Sequence, residues 1–135
     1  MPALLADVNA EGHLDALLAV CRSPDWIEYW SYLQVSVERF SDLGLPANVS
    51  DDVLWRTCQQ RELLLVTANR NQDGPDSLGV TIALEGTADS LPVLTLGDAG
   101  RLLTDGDYCR AAAARLIEII EDLDIVRGSG RLWLP

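Results

Sequence analysis

Apolar residues recur along this chain in two rhythms: short continuous or alternating runs, and longer stretches spaced by three and four. The first marks strands and the second helices. "ALLADVN" opens with a run over Ala3–Ala6 that stops at Asp7, a short buried strand. "EGHLDALLAVC" then sets Leu14, Leu17, Leu18 and Cys21 along one helical stripe. Ser23 and Pro24 in "SPDWIEYWSYL" signal another helix start, with Trp26 and Trp30 on one face. Leu33, Val35 and Val37 alternate in "LQVSVERF", which predicts a second strand. "SDLGLPANV" is a loop. In "SDDVLWRTCQQR", Ser50 reads as an N-cap, Asp51 and Asp52 fill the first turn, and Val53, Leu54 and Cys58 are expected to face inward.

"ELLLVT" is a continuous apolar run, as expected of a strand buried on both faces. It empties into "ANRNQDGPDS", a stretch crowded with oxygen-bearing side chains. Residues 77–86 read as a short helix, "LPVLTLG" as a strand, and "DAGRLL" as a short helix capped by Asp98. "DYCRAAAARLIEIIEDLD" is the clearest helix. Cys109, Ala112, Ala113, Leu116, Ile120 and Leu123 form its inner stripe, and Glu118, Glu121 and Asp122 face water. Gly128 and Gly130 break up the tail "RGSGRLWLP".

Strands and helices therefore alternate, which predicts an α/β fold: a mostly parallel sheet with helices on both faces, in three layers. Ligands gather beyond the carboxyl ends of such strands. Asp7 and Asn9 follow the first strand, Asp51 and Asp52 open the helix after the second, Asn69, Asn71 and Asp73 follow the third, and Asp98 and Arg101 the fourth. Topology alone is expected to bring these sequence-distant groups to one edge.

Composition narrows the class. The chain has 135 residues, 48% of them apolar, enough for a single domain over residues 1–135. No apolar run is long enough to cross a membrane, and the first residues lack the basic start of a secretion signal. Cys21, Cys58 and Cys109 form no CxxC pair and read as reduced core thiols of a cytoplasmic protein. The net charge of -11 repels phosphate backbones and argues against a general nucleic-acid binder. It leaves room for an enzyme that presents metal-bound carboxylates to a nucleic acid beside a local basic strip. One His, His13, excludes a multi-His metal centre within the monomer.

"LLADVN", "FSDLGLPANVSDDVLWRTCQQRELLLVTANR" and the polar segment after them resemble the PIN-like superfamily, in particular its small stand-alone proteins of the DUF5615 type. The resemblance covers roughly residues 3–80. It implies a PIN-like metal-dependent ribonuclease, in which acidic residues hold Mg2+ or Mn2+ and water cuts a phosphodiester. On that pattern Asp7 and Asp51 match acidic positions, and Asp73 is a third metal-binding candidate. Asn69 and Asn71 fall where the family has Asp, and complete the implied catalytic set. This departure removes two negative charges from a centre that uses charge to bind cations and activate water. Asn9, Asp52, Arg70, Asp76, Asp98 and Arg101 are expected around the site, against substrate or behind the ligands.

Plainer roles stand beside these. Asp73 and Asp76 flank Gly74-Pro75 and suit a turn, Asp98 suits an N-cap, Arg70 and Arg101 suit ion pairs, and Glu11 is an ordinary first-turn acid. Trp26 and Trp30 suit the core or a homodimer contact better than base stacking. A second function class keeps the same pocket as a non-catalytic PIN-like binding module, which the two amides and the acidic charge favour. A third follows from chains with a similar "TANRNxDGPDSL" segment that are named acyl-carrier-protein malonyltransferases. No GxSxG elbow supports it here, since Ser129 sits in "RGSGR".

Overall fold

The computed structural model describes residues 2–70 and 74–135. β1 (Ala3–Ala6) leads to α1 (Glu11–Cys21), α2 (Ile27–Leu33) and β2 (Ser36–Glu38). A short 3-10 helix (Phe40–Leu43), α3 (Asp51–Gln60), β3 (Leu64–Thr67), α4 (Leu78–Glu85) and β4 (Val93–Leu96) follow. α5 (Ala99–Thr104), α6 (Gly106–Glu121), α7 (Leu123–Val126) and β5 (Arg131–Leu134) complete the chain. Among the described residues, all five strands are parallel, in the order β2-β1-β3-β4-β5. The α/β expectation holds.

The helices take sides by strand parity, because successive side chains of a strand point to opposite faces. Leu4, Ala6, Leu64, Val66, Leu94, Leu96 and Leu134 join α1, α5, α6 and Trp30 in one apolar cluster. Leu5, Leu65 and Val93 meet Phe40, Leu54, Trp55, Cys58 and Leu78 in the other. Every residue of β1 from Leu4 onward, and all of β3 and β4, is buried, as strands covered twice must be. α6 buries Cys109, Ala112, Ala113, Leu116 and Ile120 as its spacing predicts, and Ile117 and Ile119 besides.

Three expectations need correction. Leu33 ends α2, and Gln34 turns the chain with a left-handed φ of 55°. The second strand is therefore only Ser36–Glu38, an exposed edge strand, and the alternation Leu33/Val35/Val37 straddles a helix end. Val53 is 37% exposed, because α3 turns Leu54, Trp55 and Cys58 inward instead. The tail also holds a strand. Gly128 and Gly130, with φ of 84° and 79°, shape the turn that lays β5 on β4. A Cβ on Gly128 would stand 2.9 Å from the Ala88 carbonyl oxygen, so only glycine lets that loop close.

Trp30 is buried, and the half-buried Trp26 packs against the same cluster. Among the described residues, no helix is long and apolar enough to cross a membrane.

Leu94 is fully buried on the strand between β3 and β5. Leu94→Ala is expected to cost about 2–5 kcal/mol, read as a lower urea midpoint with an unchanged slope.

Candidate functional site

The strand order reverses beside β1, which pairs with β2 on one side and β3 on the other. The chain leaves β1 toward α1 on one face and leaves β3 toward α4 on the other, opening a crevice between their carboxyl ends. Asp7 is the first residue beyond β1, and its N–H donates to the Val66 carbonyl at 2.9 Å. Thr67 is the last residue of β3, and Asn69 lies two residues on. Asp51 begins α3.

One relay of hydrogen bonds joins them. Asp7 Oδ1 accepts from the Val8 N–H at 2.7 Å, and Oδ2 accepts from the Thr67 hydroxyl at 3.0 Å. The same hydroxyl accepts from the Asn69 N–H at 3.0 Å. Asn69 Nδ2 then donates to Asp51 Oδ2 at 2.9 Å. That oxygen also accepts from the N–H of Leu78, the first residue of α4, at 3.2 Å. An acidic residue at a helix start is favoured by the helix dipole, and Asp51 serves two helices this way. A hollow of about 380 Å³ opens over the relay, lined by Asp7, Asn9, Asp51, Thr67 and Asn69, with Ala47 and Val49 on its apolar side.

Arg131 brings a positive charge to the relay from β5. Its Nη1 donates to the Asn69 carbonyl at 2.7 Å and to the Thr95 hydroxyl at 2.6 Å. Burial pulls its pKa below the usual guanidinium range, and the Asp51 charge opposes that shift. The centre thus combines two carboxylates, a hydroxyl, an amide and one guanidinium.

This donor set suits one hard cation, which takes oxygen ligands and fills its remaining positions with water. Two close cations need more carboxylates than Asp7 and Asp51 supply. Among the described residues, no group of three or more His, Cys, Asp or Glu stands together as a metal site. The expectations for Asn71 and Asp73 lie outside the described residues.

The remaining candidates divide. Asn9 lines the hollow. Asp52 turns away toward Arg56 at 3.2 Å, and Arg56 also grips Glu85 of α4 at 2.6 Å. The Ser50 hydroxyl and Arg56 hold the Asp52 carboxyl below its usual range. Asp76 is exposed in the turn before α4. Asp98 caps α5, accepting from the Arg101 N–H at 2.9 Å. Arg101 pairs with Asp105 at 3.0 Å and lies over the Tyr108 ring. Arg70 lies over the Trp133 ring, 5.3 Å from its centroid. Glu11 meets Arg39 at 3.9 Å.

Thr67 and Arg131 were not foreseen. A polar residue closing an otherwise apolar strand was the signal for Thr67, and a charge inside the alternating "RLWL" was the signal for Arg131.

The hollow holds no nucleophilic thiol. All three cysteines are free and buried; burial pushes Cys58 up to about 12 and Cys21 up to about 11. Ser129 donates to the Val126 carbonyl just before β5 and does not line the hollow. No family model, no curated protein and no solved structure matches this chain.

Thr67 is 1% exposed and both donates and accepts within the relay. Thr67→Val is expected to lower unfolding free energy by about 1–3 kcal/mol, with Thr67→Ser close to the parent, in urea titrations. The thiols give an independent check. At pH 8 a disulfide reagent is expected to find none of the three cysteines in the folded chain and all three in denaturant.

Proposed function

We propose that this chain is a PIN-like phosphodiesterase acting on RNA, with one Mg2+ or Mn2+ held between Asp7 and Asp51. The observation that carries it is the convergence of these two carboxylates, through Thr67 and Asn69, on one hollow at the switch point of the sheet. Both match acidic positions of the PIN-like pattern. A bound divalent cation supplies charge stabilisation and an activated water.

The chain's own groups set the stage for that chemistry. Thr67 and the Val8 N–H fix the Asp7 carboxylate. Asn69 and the Leu78 N–H fix that of Asp51. Arg131, anchored on the Asn69 carbonyl, offsets part of the negative field that would repel a phosphodiester. Three buried free thiols support a reducing, cytoplasmic setting.

A non-catalytic binding module is the second reading, and one contact favours it. Where the family pattern has a carboxylate, Asn69 places an amide donor against Asp51. A neutral donor there lowers the charge available to a cation.

Manganese titration with thermal unfolding separates the two. At one hundred times its dissociation constant, a cation bound only by the folded chain adds about 2.7 kcal/mol, a rise of several degrees. The rise is expected in the parent and absent in Asp7→Asn and Asp51→Asn, each compared with its own metal-free midpoint. Single-stranded RNA is expected to be cut by the parent in manganese and not by Asp7→Asn. A thermal rise without cutting supports the binding module, and no rise at all removes the cation.

A further inference from the structure

Beside the hollow, on the same side of the sheet as Thr95, β5 presents Trp133 with 46% of its surface open. Two guanidinium groups lie over its ring. Arg70 stands 5.3 Å from the ring centroid and Arg131 stands 5.9 Å from it. Arg70 arrives from the segment after β3, reaching across the end of β4 to within 3.4 Å of the Leu96 carbonyl. Arg131 arrives from β5 and is pinned to the Asn69 carbonyl. The three side chains therefore adjoin the relay that holds Asp7 and Asp51.

Positive charge gathers here. In a chain of net charge -11, neither Arg70 nor Arg131 forms an ion pair among the described residues. Six arginines do, and Arg22 and Arg61 form none either, but among these four only Arg70 and Arg131 share an aromatic ring. Trp133 and Arg131 also line a cleft of about 530 Å³ against Val80, Ile82 and Ala83 of α4. Its volume lies in the range of small-ligand sites, about 300–1,000 Å³.

We propose that Trp133, Arg70 and Arg131 form a platform for one base–phosphate unit of a single-stranded nucleic acid. The part of the indole left open offers a stacking surface to a base. The exposed Arg70 meets the phosphate by charge and hydrogen bonds, while Arg131, its Nη1 held by Asn69 and Thr95 and its Nη2 buried, steadies the ring. An acidic peptide would satisfy the arginines but make no use of the exposed part of the indole, so the ring decides the occupant. This inference rests on the phosphodiesterase reading in one respect: it places the bound strand against the Asp7–Asp51 hollow. The platform itself needs no cation.

The test is binding of a short fluorescein-labelled oligouridine, followed by anisotropy in EDTA so that nothing is cut. Trp133→Ala is expected to weaken binding roughly 5- to 100-fold, and Trp133→Phe to keep most of it. Trp133→Leu, which preserves apolar bulk without the indole face, is expected to weaken binding like Ala, and it stands in should Ala destabilise β5. Arg70→Gln is expected to flatten the salt dependence by about 0.7 in log–log slope, the value for one phosphate contact on a single strand. Absence of binding in the parent overturns the platform. So does equal affinity in Trp133→Leu, or equal affinity for a fluorescein-labelled polyglutamate peptide. Binding through Trp133 with no cutting in manganese keeps the platform and removes the nuclease. Cutting with affinity indifferent to Trp133 does the reverse.

Discussion

The pairing of β1 with β3 is the constraint on which the rest of the molecule depends. Leu4, Leu5 and Ala6 lie in register with Leu64, Leu65 and Val66. Because side chains alternate, a one-residue slip would exchange the two apolar faces and expose each to the wrong helices. The same register carries the Asp7 N–H onto the Val66 carbonyl and the Asp7 carboxylate onto Thr67. Fold and site are thus specified by one interaction, and neither can shift without the other.

Beyond that register, the buried hydroxyl side chains are partnered, whereas the Trp55 indole N–H and Arg131 Nη2 are buried without a hydrogen-bond partner among the described residues. Thr67, Ser77, Thr81 and Thr95 are the buried polar residues among those described, and each takes part in a hydrogen bond. Unpaired, such groups would each cost more than a typical hydrogen bond contributes. Thr67 and Thr95 occupy neighbouring strands in register and receive charged partners, Asp7 for one and Arg131 for the other. Opposite charges are thereby held apart on either side of β3 and β4. The acidic surface pairs with exposed arginines elsewhere, and such pairs are worth little individually.

Much of this was legible in the sequence, for reasons that also explain the gaps. Continuous apolar runs located β1, β3 and β4, because strands covered twice leave no polar position to confuse the pattern. The spacing in α6 located its buried stripe for the same reason. Asp7, Asp51 and Asn69 were expected at one edge from topology, and the relay between them bears that out. β2 and β5 were harder, being edge strands whose outer sides owe nothing to burial. β5 was hidden further by the glycines that precede it. They read as breakers, yet their positive φ is what turns the chain back to β4. Arg131 was missed along with its strand. Asp52 and Arg101 were placed near the site by sequence order, but their helices point them toward nearby opposite charges.

Asp51 Oδ2 receives both the Asn69 amide and the first N–H of α4. A visitor that claims that oxygen therefore competes with the opening turn of a neighbouring helix. Were that oxygen taken, occupancy of the crevice and fraying of α4 would become two readings of one equilibrium. By reciprocity, whatever steadies or loosens that turn from the far side must alter affinity within the crevice by the same factor.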